Sequence, residues 1–140
     1  MSERSFIDTN ILVYAHDRSA GDKHEMARRL VEHHWEERSA VISTQVLQEL
    51  YVNLRRQATR PLSRARAAAV IEDYLAWEVV VNDGKSILEA LELERAYVLS
   101  FWDALIVQAA TTSRAEVLYS EDLNAGQRFG AIVVRNPFRT

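Results

Sequence analysis

At 140 residues the chain fits one domain over 1–140, long enough to bury a real core and too short for two ordinary ones. With 48% hydrophobic residues, 26% charged, 4 Gly and 2 Pro, the composition is that of a folded globular protein with no disordered or repetitive stretch. Cysteine is absent, which excludes disulfides, zinc thiolate sites and thiol nucleophiles. The formal charge of -3 provides no global attraction for nucleic acid, so such a partner has to be drawn by local features.

The chain reads as strands alternating with helices. Ser5 to Asp8 is a short apolar segment ending in an acid, and Thr9 and Asn10 are placed to cap a helix through Leu12, Val13 and Tyr14. Lys23 to Arg38 carries Met26, Leu30, Val31 and Trp35 at helical spacing, and Ala40 to Ile42 returns to a buried-strand pattern. Ser43 or Thr44 caps the next helix, with Val46, Leu47, Leu50, Tyr51 and Leu54 on its inner stripe, until Pro61 breaks the chain. Arg64 to Ala76 predicts a further helix, Trp77 to Val81 a strand, Lys85 to Leu99 a helix, and Asp103 to Arg114 a helix with Leu105, Ile106, Ala109 and Ala110 inward. Val117 to Tyr119 and Ile132 to Val134 close the sequence as strands. Apolar stretches such as 104–110 fall far short of the roughly 20 residues of a membrane span, so the expectation is a soluble cytoplasmic protein with no membrane partner.

Such alternation predicts a three-layer α/β/α domain around a mostly parallel sheet, because parallel neighbours need crossover connections. Ligands of these sheets bind beyond the carboxyl ends of the strands. Asp8 ends the first strand, Glu49 lies about one and a half turns into the helix after the second, and Asp122 follows the fourth. Asp103 opens a helix that has to pack on the sheet, from which its side chain can reach the same rim. Each acid also has a structural explanation: Asp8 as a cap or turn residue, Glu49 as a solvated boundary residue, Asp103 as part of a helix start after Ser100, and Asp122 as a turn former. Glu121 is a competing candidate for the fourth acid. Taken together, four carboxylates at one edge repel one another unless a cation is bound. Carboxylate oxygens without histidine or cysteine select Mg²⁺ or Mn²⁺, which engage phosphate oxygens, and the corresponding chemistry is phosphodiester hydrolysis.

His16, His24, His33 and His34 all lie in the first quarter, without the spacing of a catalytic or metal-binding pair near the acids. No glycine-rich phosphate loop is present. Arg55, Arg56, Arg60, Arg64 and Arg66 form a run without an intervening acid, suited either to guiding an RNA backbone or to neutralising a helix C-terminus and solvating a loop. Trp35, Trp77 and Trp102 read as core or boundary residues, with no base stacking assigned to them.

The segments Phe6-Ile7-Asp8-Thr9-Asn10-Ile11-Leu12, Ser43 to Leu50 with its Glu49, Ser100-Phe101-Trp102-Asp103-Ala104-Leu105-Ile106, Leu118-Tyr119-Ser120-Glu121-Asp122-Leu123-Asn124 and Val133-Val134-Arg135-Asn136-Pro137-Phe138 resemble those of PIN-domain proteins, and most of all the VapC toxins of bacterial toxin–antitoxin pairs. The resemblance implies a PIN fold, a Mg²⁺- or Mn²⁺-dependent endoribonuclease, a homodimer, and an antitoxin whose tail covers the groove. By position it implies Asp8, Glu49, Asp103 and Asp122 as the acidic set, with Thr9, Asn10 and Ser120 as supporting polar groups. Two other readings stand beside it: a non-catalytic PIN-like module that binds RNA or protein, and a DNA-directed nuclease of the same fold.

Overall fold

The computed structural model describes residues 3–57 and 59–139. Six strands form one sheet: β1 (Ser5–Ile7), β2 (Ala40–Ser43), β3 (Glu78–Val80), β4 (Val117–Tyr119), β5 (Arg128–Phe129) and β6 (Ile132–Arg135). Their spatial order is β3-β2-β1-β4-β6-β5, and every pairing is parallel except β5 with β6. The helices are α1 (Thr9–Ala15), α2 (Asp22–Glu37), α3 (Thr44–Arg56), α4 (Arg64–Tyr74), α5 (Gly84–Tyr97) and α6 (Phe101–Thr112), with a short 3₁₀ turn at Arg18–Ala20.

From β1 the chain steps outward through β2 to β3, then crosses back to place β4 on the other side of β1. Right-handed crossovers in opposite directions put α1 to α4 on one face and α5 with α6 on the other. The helix contacts agree: α1 packs on α2 and α3, and α3 on α4, while α5 packs on α6. The strand order therefore reverses between β1 and β4, which makes the gap beyond their carboxyl ends the topological switch point where ligands of such sheets bind.

The core is built from β1, β2 and β4 with the inner stripes of the helices, including Phe6, Ile7, Ile42, Leu50, Leu54 and Leu118. In α6 burial extends beyond the stripe expected for one helix face: every residue from Ala104 to Ala110 is buried. Ile106, Val107, Ala109 and Ala110 join the main core, whereas Ala104 and Leu105 form a second cluster with Ala90 of α5. In α2, Val31 of the expected stripe is buried, but Met26 turns outward at 43% exposure, and Ala27 and His34 are the other buried residues.

Local signals explain most boundaries. Ser43, Ser63 and Ser100 cap α3, α4 and α6 through their hydroxyls, and Asp83 caps α5 in a reciprocal capping box with Ser86. The cap of α1 is Asp8, whose carboxylate accepts from the Thr9 N–H, so Thr9 and Asn10 belong to the helix rather than capping it. The pair β5–β6 turns through Gly130 at φ 62°, and β5, only two residues long, carries too little alternation to be anticipated. No helix among the described residues is long and apolar enough to cross a membrane.

Candidate active site

Parallel pairing aligns the carboxyl ends of β1 and β4, with Ile7 opposite Tyr119. The chain leaves β1 into Asp8 and β4 into Ser120, and these two residues meet: Ser120 Oγ donates to Asp8 Oδ2 at 2.8 Å. The same hydroxyl oxygen accepts from the backbone N–H groups of Asp122 at 3.2 Å and Leu123 at 3.3 Å. One fully buried serine thereby ties the first acid to the turn that presents the fourth. Asp8 Oδ1 accepts from the Thr9 N–H at 2.7 Å, and Thr9 Oγ1 donates to Glu49 Oε1 at 2.7 Å, linking α1 to α3. From one turn earlier in α3, Gln45 Nε2 reaches Glu49 Oε2 at 3.5 Å and donates to the Trp102 carbonyl at 3.3 Å, which connects α3 to the first turn of α6.

A cavity of about 310 Å³ lies at this edge, bordered by Asp8, Glu49, Asp103 and Asp122. Its remaining lining is Thr9, Asn10, Val13, Tyr14, Gln45, Asn53, Trp102 and Ile106, with no Lys, Arg or His. All four acids singled out in the sequence, and Thr9 and Asn10 with them, therefore share one space. Ser120 stands behind it as a tether. Glu121 does not compete for that space: its carboxylate accepts from Tyr14 Oη at 2.7 Å and pairs with Lys23 Nζ. The contrast between the adjacent Glu121 and Asp122 is one of charge, since Glu121 has a cation and Asp122 faces other carboxylates.

The electrostatics follow from that placement. Asp8 is only 5% exposed, and burial pushes its carboxyl up to about 7, against the stabilising hydrogen bonds of Ser120 and Thr9 and with added repulsion from Asp122 and Glu49. Partial burial also raises Asp103; the Ser100 hydroxyl opposes the shift and Asp122 adds to it. Among the described residues no group of three or more His, Asp or Glu side chains is arranged to hold a metal ion by itself. The donor set still fits Mg²⁺ or Mn²⁺. These hard cations take oxygen ligands, are commonly bound through one or two carboxylates, and keep several waters. Asn10 and Gln45 also border the cavity, and both amide atoms of Asn10 and Oε1 of Gln45 are buried without a hydrogen-bond partner.

The arginine run is placed elsewhere. Arg55 and Arg56 occupy the last turn of α3, where they complement the helix dipole, and Arg55 Nη1 donates to the Leu62 carbonyl at 3.1 Å. Arg60 and Arg66 line a second cavity together with Arg18 and His16, and none of its lining residues borders the acidic one. Two contributors escaped the sequence reading. Gln45 gave no signal beyond lying one turn before Glu49. Trp102 is not a core or boundary residue: it is 61% exposed at the cavity rim, whereas Trp77 is 7% exposed in a cluster with Trp35 and Tyr74. The Trp102-Asp103 adjacency at a helix start was the available clue.

Comparison with known proteins agrees with this geometry. No curated protein matches the sequence at a significant level. Among solved structures, a toxin–antitoxin complex from Klebsiella pneumoniae has a chain 19% identical, covering 97% of this chain and 99% of that one, with a TM-score of 0.68. VapC20 of Mycobacterium tuberculosis, a toxin that cleaves the sarcin–ricin loop, is 23% identical over 84% of this chain and 91% of its own, with a TM-score of 0.65. DNA-bound VapBC from Salmonella typhimurium is 22% identical over 97% and 99% of the two chains, also at 0.65. The PIN domain family model matches residues 5–128, a span that contains both strands of the switch point and all four acids. By that match, and with the fold of the VapBC toxin structures, the chain belongs to the PIN-domain family.

Proposed function

We propose that the protein, as one PIN-like domain over 1–140, is a Mg²⁺- or Mn²⁺-dependent endoribonuclease and the toxin of a VapBC-type pair, acting in the cytoplasm. The observation that carries this reading is a cavity bordered by Asp8, Glu49, Asp103 and Asp122 without a protein cation among its lining residues. Carboxylates left facing one another at a switch point destabilise the fold unless charge arrives from solution. Asp8, Asp103 and Asp122 would hold the cation, with Glu49 joining directly or through water; since no three of these side chains converge on one point among the described residues, the cation's retained waters would complete the contacts. When bound, the cation supplies positive charge that lowers the pKa of a water and offsets charge on the phosphate and the leaving oxygen.

The chain's own residues set the rest. Ser120 and Thr9 fix the two oxygens of Asp8, so its lone pairs point in set directions. Thr9 Oγ1 orients Glu49, and Gln45 holds the first turn of α6 beside it. Asn10 borders the cavity as a supporting polar group; its two amide atoms are buried without a partner, so it would meet a phosphate oxygen or a water only by turning its side chain outward. Water attacking in line at phosphorus gives up one proton as the new P–O bond forms, the bond to the 3′-oxygen breaks, and that oxygen takes up one proton, so that the net step adds one water across the P–O bond. The products are a 5′-phosphate and a 3′-hydroxyl, with no part for the 2′-hydroxyl. Arg55, Arg56 and Arg60 are assigned to the RNA backbone further along the strand.

An antitoxin partner and a homodimer are proposed on the likeness to chains of toxin–antitoxin complexes. The RNA class is supported by the mycobacterial relative that cleaves the sarcin–ricin loop. The test is incubation of total cellular RNA and of labelled DNA with the protein, with and without chelator, and mapping of the new ends. Metal-dependent RNA cuts with 5′-phosphate ends are expected. Ends bearing 2′,3′-cyclic phosphate would overturn the mechanism, preferential DNA cleavage would reassign the substrate, and no cleavage would leave a binding module.

A further inference from the structure

We propose that Trp102 is a stacking platform for an unpaired nucleobase next to the scissile phosphate, and so makes the site selective for single-stranded RNA; this rests on the ribonuclease reading. Trp102 is the neighbour of Asp103 in the first turn of α6, and both border the acidic cavity. Its indole is 61% exposed, which is unusual for the largest apolar side chain. The backbone beneath it is nevertheless held on two sides, by the Gln45 bond to its carbonyl at 3.3 Å and by the Ser100 cap, whose Oγ accepts from the Asp103 N–H at 3.1 Å. Phe101 packs edge-to-face against the ring at 5.3 Å. The ring is thus an exposed aromatic on a fixed support.

The surroundings say what such a ring is for. The cavity it borders is lined by four acids and no protein cation, so the protein's own side chains offer a phosphodiester backbone no attractive charge there. A base has no net charge and a π face, and stacking on an aromatic ring is worth about 1–3 kcal/mol per base, or roughly five- to a hundredfold in affinity. That contact can hold the strand beside the acids without adding positive charge to the cavity. In an A-form duplex the base faces are stacked on one another, so only an unpaired or extruded base reaches the ring.

The experiment uses the full chain carrying Asp8→Asn, in Mg²⁺, so that bound RNA stays intact. A labelled 15-nucleotide single strand and its duplex are titrated by fluorescence anisotropy, with tryptophan emission read in parallel. The single strand is expected to quench tryptophan emission, and the quenching to vanish in Trp102→Phe, because Trp77 is buried and Trp35 packs on Tyr74. Trp102→Ala should weaken single-strand binding five- to a hundredfold and duplex binding less than twofold, while Trp102→Phe should retain most of the affinity. Unchanged affinity in Trp102→Ala, equal losses on duplex and single strand, or absence of quenching by the single strand would each overturn the proposal. A fall in the protein's sedimentation mass on Trp102→Ala with RNA affinity intact would overturn it in favour of a subunit interface. Failure of the ribonuclease reading shows up separately, as a Trp102-dependent complex that the protein with Asp8 intact does not cut.

Discussion

Two ends of one sheet bury titratable groups, and they resolve the cost in different ways. At the amino end, His34 is 2% exposed and accepts or donates a single hydrogen bond, Nδ1 to Ser39 Oγ at 2.6 Å, and burial, aided by the His33 charge, lowers its pKa to about 4. At the carboxyl end, burial raises Asp8 to about 7, and the carboxylates of Asp122 and Glu49 push it the same way. Desolvation disfavours the charged form in both cases. His34 settles the matter by staying neutral inside aromatic packing beside Tyr119. Asp8 lies at an open cavity among like charges, where neutralisation by a bound cation is the alternative to protonation. The comparison separates a buried group that serves packing from one whose strain is open to relief by a cation from solution.

The largest expected effect breaks the carboxyl end. Asp8→Asn, Asp103→Asn and Asp122→Asn should each reduce RNA cleavage on the order of a hundred- to a thousandfold or more, measured as single-turnover rates. Asn keeps one oxygen, which can accept from the Thr9 N–H, and its NH2 replaces the oxygen to which Ser120 Oγ donates, so Asp8→Asn gives up one hydrogen bond and should leave the metal-free protein folded. Because the folded pKa of Asp8 is raised from 3.8 to about 7, the wild type binds more protons folded than unfolded between those values and gains stability as pH falls through that window. Urea denaturation should show Asp8→Asn more stable than wild type above pH 7 by up to about 4 kcal/mol, with the advantage disappearing toward pH 4.

The next effect sharpens the same contrast. Mg²⁺ at about a hundredfold excess over its Kd should stabilise the wild type by roughly 2.7 kcal/mol, visible as a rise in Tm, and should stabilise Asp8→Asn distinctly less. At the amino end the sign reverses. With His34 lowered from 6.5 to about 4, the unfolded state binds the extra proton, so this residue makes the protein lose stability as pH falls from 6.5 toward 4, by up to about 3 kcal/mol. His34→Gln should flatten that part of the urea-midpoint profile and leave cleavage at neutral pH intact. The smallest effect is outside both ends: Arg60→Ala should weaken RNA binding a few-fold and reduce the salt slope by about one unit.

The alternation of apolar strands with amphipathic stripes was enough to read the parallel sheet, and the acids that end or follow its strands were enough to locate the cavity. Asp8 illustrates why. A strand end and a helix start are both written in local sequence, and a parallel sheet aligns such ends without further information. What stayed hidden depends on tertiary placement. Trp102 and Trp77 look alike in sequence, and only packing separates them: Trp77 is enclosed by Trp35 of α2 and Tyr74 of α4, while Trp102 stays at the rim where α3 meets the first turn of α6. Gln45 looks like any helix surface residue until Trp102 O and Glu49 are seen on either side of it. The separation of Glu121 from Asp122 turns on Lys23, nearly a hundred residues away in sequence and brought into reach by the packing of α2 on α1.

The central claim is that the four carboxylates await a divalent cation, and calorimetric titration of the metal-free protein with Mn²⁺ at pH 7 tests it most directly. With Asp8 raised to about 7, part of the protein carries a proton there at that pH, so binding should release protons, seen as an enthalpy that depends on the buffer's ionisation heat, and Asp8→Asn should reduce the release. Absence of Mn²⁺ binding at millimolar concentration, or binding that Asp8→Asn leaves unchanged in affinity and proton release, would contradict the account.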